Sequence, residues 1–153
     1  MKMTKILVAA LMISAPVQGV HAEMMKTELN PPGADIPGIS QAVIVTGGRL
    51  MYLSGHVPFA ADGSMAETFE GQLDQVLANM KGTLEAAGAD FSSLVRVTFF
   101  VKDYDVAQLD ALREIRDRWF DTEHPPASAL IGVQALFVPQ ALVEVDAVAV
   151  LPD

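Results

Sequence analysis

The chain has 153 residues, 51% of them apolar, which suffices for one domain with a sizeable core and is too short for two. Its 19 acids against 10 Lys and Arg give a formal charge of −9. Without a basic cluster there is no footprint for a phosphate backbone, so nucleic-acid partners are set aside. Cysteine is absent, which excludes disulfides, thiolate nucleophiles and cysteine-built metal sites. The histidines are His21, His56 and His124.

At the N-terminus Lys2 and Lys5 precede the apolar run 6–12, Pro16 and Gly19 interrupt it, and Val20-His21-Ala22 has small-x-small spacing. That order predicts a secretory signal peptide over residues 1–22, cut after Ala22, and a single domain over 23–153 that is periplasmic or secreted. The apolar stretch is well short of the roughly 20 residues a membrane span needs, so no membrane attachment is expected after cleavage. Losing Lys2 and Lys5 leaves 8 cations against 19 acids, a formal charge of −11.

Residues 23–38, with Pro31-Pro32-Gly33 and Pro37-Gly38, read as an extended, irregular lead-in carrying little core. Runs 41–46 and 50–54 are β-type, and Gly47-Gly48 between them suits a tight hairpin with positive φ. Over 68–87 the apolar residues Phe69, Leu73, Val76, Leu77, Met80 and Leu84 recur at helical spacing. Ser64-Met65-Ala66-Glu67 has capping-box spacing before that helix, and Gly88 suits its left-handed end. Residues 94–101 alternate, with Val95, Val97, Phe99 and Val101 on one face and Arg96 and Thr98 on a wetter one. Asp105 then caps a helix whose stripe is Leu109, Leu112, Ile115 and Trp119, with Arg113, Glu114, Arg116, Asp117 and Arg118 supplying most of its charge. His124-Pro125-Pro126 stops it, and 127–135 and 141–151 are the last β-type runs. The sum is an α+β sandwich, a mostly antiparallel sheet with two helices on one face, whose other face is solvated or covered by another copy. Apolar residues on both faces of the last strands favour homo-oligomerisation.

Nucleotide-binding and α/β-hydrolase signatures are absent, and His56, His124 and the carboxylates have no paired metal-ligand spacing, so neither metal nor cofactor is expected. Glu144 lies mid-strand in an apolar run. It either belongs to the solvated face of an edge strand or is a carboxylate whose surroundings raise its pKa, as a general acid or water-activating base requires. Ser54-Gly55-His56 ends a strand, where a hydroxyl and an imidazole are able to face a cleft. His124 reads as an exposed helix-end cation, and Trp119 and Phe120 as core.

Ser54-Gly55-His56-Val57-Pro58, Leu84-Glu85-Ala86-Ala87-Gly88, Phe100-Val101-Lys102-Asp103, the stretch 126–133 and Val143-Glu144-Val145-Asp146-Ala147-Val148-Ala149 together resemble the reactive intermediate deaminase family, also called Rid or YjgF. The resemblance spans essentially the whole mature chain. It implies a chorismate-mutase-like fold, a barrel-like homotrimer with small-molecule clefts between subunits, and cofactor-free hydrolysis of imines and enamines such as 2-iminopropanoate. By that resemblance Glu144 matches the glutamate that positions water, and Ser54 and Gly55 match the strand-end Ser-Gly. His56 replaces the usual glutamine, Ser128 the arginine that clamps a substrate carboxylate, Ile39 an aromatic residue, and Leu130 a Cys or Thr.

Serine supplies one neutral hydroxyl where a guanidinium supplies a bidentate, charge-assisted fork. An anionic imino acid is therefore expected to bind weakly unless Arg96 or a neighbouring subunit's cation compensates, and Ile39, Ser128 and Leu130 favour a neutral or cationic, more apolar ligand. Two functions follow as expectations: a hydrolase in which Glu144 activates water, Ser54 holds an oxygen and His56 assists proton transfer, or a non-catalytic small-metabolite binder on the same scaffold. A surface-interaction protein ranks last, and ribonuclease activity is disfavoured by the charge.

Overall fold

The computed structural model describes residues 23–153, and the expected leader lies outside them. Met25-Lys26-Thr27-Glu28-Leu29 alternates in burial and forms β1 (Met25–Leu29), which pairs antiparallel with β2 (Ala42–Thr46). The lead-in is thus not wholly irregular: its alternating residues precede the first proline and find β2 as an edge. Lys26 is tied down by its ammonium, which donates to the carbonyls of Ser92 and Leu94. Partial burial holds its pKa below the ordinary lysine value.

Gly47 and Gly48 both have positive φ, 69° and 74°, yet they do not close the expected hairpin. β2 turns away to β1, while β3 (Arg49–His56) pairs with β6 (Val143–Leu151) in a separate sheet. A side chain at Gly48 would lie 2.7 Å from the Leu151 carbonyl oxygen, so the turn is seated on the end of β6 and directs β3 along it.

Helix α1 (Phe69–Ala86) begins one turn later than the Ser64 box suggests. Ser64 instead donates its N–H and hydroxyl to Asp62, and Thr68 is the cap, accepting from the Gly71 N–H at 3.1 Å. At the other end Gly88 has φ 71°, and the bonds from Ala89 N–H to the Leu84 carbonyl and from Gly88 N–H to the Glu85 carbonyl form a Schellman ending. After a 3-10 turn (Phe91–Ser93) capped by Asp90 comes β4 (Leu94–Lys102). Asp105 and Gln108 form a reciprocal capping box on a second 3-10 turn that leads into α2 (Leu109–Trp119), and β5 (Ala127–Val133) follows.

The larger sheet runs β3-β6-β4-β5, with β6 antiparallel to both neighbours and β5 parallel to β4. One face is the core: Leu73, Val76, Leu77, Met80 and Leu84 of α1, with Leu112 and Ile115 of α2, meet Val97, Phe99, Val101, Val143, Val145 and Ala149. This is the α+β layer arrangement that the periodicities imply. The opposite face carries Glu144, Asp146 and Val148 of β6 with Tyr52, 75% exposed, and Ile131, 42% exposed. Because β4 is an internal strand, Thr98 is buried there rather than wet.

Candidate functional site

The register between β3 and β6 shifts between Leu53 and His56, so Ser54-Gly55 forms a bulge. A bulge re-aims the backbone next to it. Directly opposite the step, Glu144 lies on the open face of β6, half-buried, in register with Phe100 of β4. The sequence leaves open an edge strand for this carboxylate, but β6 is flanked on both sides.

Gly55 makes the seat for Glu144. A Cβ there would stand 1.9 Å from Glu144 Oε1 and 2.9 Å from its carboxyl carbon, so the carboxylate rests on bare backbone. Among the described residues Glu144 has no hydrogen-bond or ion-pair partner, and its oxygens are not sealed from solvent. An unpaired carboxylate in a half-covered position has its lone pairs free to accept from a water or from an N–H⁺.

His56 is placed elsewhere. It is in register with Val145, a core residue, and its ring bridges the Ser54 carbonyl at 2.8 Å through Nδ1 and the Thr83 hydroxyl at 2.7 Å through Nε2. A carbonyl only accepts, so Nδ1 is the donor in the first bond. The imidazole therefore ties the bulge to α1 on the helix side of the sheet, whereas Glu144 is on the other side. Thr83 escapes sequence reasoning because a helical threonine carries no signal of its partner.

Ser128 and Leu130 are aligned with Val97 and Phe99 across the parallel β4–β5 pair, and Leu130 packs on the core. Both are on the outer strand β5. Ile39 joins them there: Ser40 donates its N–H to the Pro126 carbonyl at 3.2 Å and its hydroxyl to the Pro125 carbonyl at 2.6 Å, and it bridges to Ala127. Ile39 lines a cavity of about 290 Å³ with Ile36, Pro37, Gly38 and Pro125, and the ionisable residues of that lining are Asp35 and Glu123.

The site residues thus fall into two groups. Ser54, Gly55 and Glu144 are gathered at β3–β6, and Ile39 and Ser128 at the β5 edge. Strands are spaced about 4.8 Å apart, so β6, which carries Glu144, and β5, which carries Ser128, are two spacings or about 10 Å apart. Arg96 is four residues along β4 from Phe100, the neighbour of Glu144, about 13 Å at the rise of a strand, and does not supply a cation to it within one chain. Among the described residues no group of His, Asp and Glu is clustered to hold a metal ion.

Comparison with known proteins bears on this arrangement. The family described as Endoribonuclease L-PSP matches residues 34–151. The chain is 35% identical to protein DfrA of Myxococcus xanthus over 87% of this chain and 95% of that one. It is also 35% identical to the 2-iminobutanoate/2-iminopropanoate deaminase of Salmonella typhimurium, over 67% of this chain and 80% of the relative. The chloroplastic reactive intermediate deaminase A of Arabidopsis thaliana is 32% identical over 91% of this chain and 71% of its own length. Among solved structures, the Rid-family protein YyfB of Yersinia pestis superposes with a TM-score of 0.73 at 34% identity, covering 82% of this chain and 98% of that one.

Proposed function

The chain belongs to the reactive intermediate deaminase family, and on that premise we propose that it is an exported hydrolase of imines or enamines whose preferred substrates lack a carboxylate. The observation that carries this reading is the unpaired Glu144 carboxylate seated on Gly55. In the proposed reaction Glu144 accepts a proton from water as the oxygen attacks the imine carbon. That proton passes to the imine nitrogen to give the carbinolamine, which collapses as Glu144 moves the hydroxyl proton to nitrogen in turn, so the imine and water become a carbonyl compound and ammonia. Water alone balances the reaction. Ser54, on the bulge, holds the developing oxygen, and His56 acts as a positioning residue by fixing the Ser54 carbonyl.

Substrate choice follows from charge. The Salmonella relative's name specifies 2-imino acids. Here Ser128 stands where the family resemblance places a guanidinium, and the cavity beside Ile39 has Asp35 and Glu123 in its lining. A carboxylate entering there would meet like charge with no fork to hold it. Because Glu144 is on the open face of β6 while Ser128, two strands away on β5, is aligned with the core-row residue Val97, the proposed cleft is completed by a second copy, in the homotrimer the family resemblance implies. Export rests on the residues 1–22 pattern and places the protein in the periplasm or outside the cell.

Imines generated in situ from neutral amines and from amino acids test the reading. Turnover of the carboxylate-free imines, reduced about 10²-fold or more by Glu144→Gln in a folded protein, is the expected result. A second reading, a metabolite-binding protein without catalysis, is favoured by Ile39, Ser128 and Leu130 standing in place of the aromatic, arginine and Cys or Thr. Ligand retained through purification together with no acceleration over buffer selects it.

A further inference from the structure

We propose that Arg116 is the residue that fixes the Ile39 wall of the ligand cleft and so decides which substrates fit; the inference rests on the reading of that cleft given above. Arg116 is only 3% exposed although its neighbours on α2 form a charged face. Two of its three guanidinium nitrogens are held by framework contacts. Nε and Nη2 donate to Asp117 Oδ1 at 2.8 and 2.6 Å, and Nη2 also donates to the Pro37 carbonyl at 3.2 Å. Its charge is offset by Asp117.

Its effect passes to the cleft through Gly38. That residue has φ 71°, and a Cβ on it would stand 2.1 Å from Nη2, 2.8 Å from Cζ and 3.1 Å from Asp117 Oδ1. The Pro37-Gly38 turn is therefore laid flat on the Arg116–Asp117 pair, and only glycine meets both the backbone angle and the space. The turn closes with the Ile39 N–H donating to the Ile36 carbonyl at 3.1 Å. Beyond Ile39, Ser40 is pinned to Pro125 and Pro126. Ile39 is thus clamped on both sides, by proline carbonyls after it and by a buried guanidinium before it. Only the second clamp depends on a charged side chain from a different element. With the Arg116 clamp loosened, the wall loses shape selectivity while the carboxylate that handles water is undisturbed.

Three variants of the full mature chain test this: Arg116→Gln, Arg116→Lys and Gly38→Ala, with the exposed-pair cation Arg113→Gln as control. The first readout is amide hydrogen exchange of Ile39, compared with Phe99 and Val145 in the core. The second is the Kd of 3-methylbutan-2-one, the ketone product of an apolar carboxylate-free imine, by nuclear magnetic resonance titration. The third is KM against kcat for the corresponding imine. Arg116→Gln and Gly38→Ala should each speed exchange at Ile39 about tenfold with core amides unchanged, weaken ketone binding about fivefold and raise KM in step, with kcat within about twofold. Arg116→Lys, which keeps a donor to Pro37, should fall between them and the wild type. Unchanged exchange at Ile39, exchange faster throughout the core, a fall in kcat alone, or no ketone binding by the wild type overturns the proposal. Ketone binding that responds to Arg116 in a protein that hydrolyses no imine overturns the hydrolase reading instead.

Discussion

A methyl group on Gly55 would overlap Glu144 Oε1, so Gly55→Ala is a test of the carboxylate's placement that leaves the carboxylate itself intact. Misplacing a reacting group by an ångström costs on the order of 10²-fold in rate, and we expect that loss in kcat for imine hydrolysis while the folded signal persists. A rate equal to wild type would mean that Glu144 works from another position. Ser128→Arg probes the opposite property. A fork–carboxylate contact contributes about 1.5–3 kcal/mol, so the variant should raise the preference for 2-iminopropanoate over a carboxylate-free imine by about tenfold or more. An unaltered preference in competition assays would show that the cleft differs from its relatives by more than this one residue. Glu144 and Ser54 stand out in the sequence because they fall in motifs with a fixed order. Arg116 does not: its charge assigns it to the solvated face, although it follows Leu112 by one helical turn and so shares the apolar stripe.

Between elements, polar side chains supply the joints. Gln72 is 2% exposed and donates to the Ala66 and Gln140 carbonyls while its Oε1 accepts from the Leu142 N–H, joining the start of α1 to the start of β6. Gln72→Leu leaves those buried partners unpaired and should cost about 1–3 kcal/mol in denaturant unfolding, with the strands still formed. Asp90 caps the turn before β4. Hydrogen bonds from the Ser92 hydroxyl and N–H hold its carboxyl below the ordinary value. A depressed folded-state pKa gives stability that is present above the unfolded carboxylate value, near 3.9, and lost as pH falls through the folded one. Asp90→Asn keeps the capping geometry without the titration, so its stability should fall less than the wild type's on acidification below about pH 4. Equal acid sensitivity in thermal melts would assign the transition to other carboxylates. Helical and alternating periodicity made both helices, β4 and β6 readable. It did not show β1, whose five residues stand before a Pro- and Gly-rich stretch, nor that Gly47-Gly48 directs its two strands into different sheets. Turn chemistry reports a positive φ and is silent on which edges are free to pair.

For the molecule as a whole, one core face is closed and one sheet face is left with Tyr52, Val148 and Ile131 beside two carboxylates. Phe99, 1% exposed, lies at the centre of the closed side, and Phe99→Ala should cost about 3–5 kcal/mol with a matching fall in midpoint. On the proposed reading, the carboxylate half and the Ile39 half of the site belong to different strands of one chain and are joined between chains. Complementation measures this directly. Glu144→Gln and Ile39→Asp, each inactive alone on a carboxylate-free imine, are unfolded together at equal amounts, refolded, and shown by mass to form mixed assemblies. If each cleft takes one half from each of two copies, about a quarter of the clefts are intact and about that fraction of wild-type activity returns. Mixed assemblies as inactive as either parent would contradict the account.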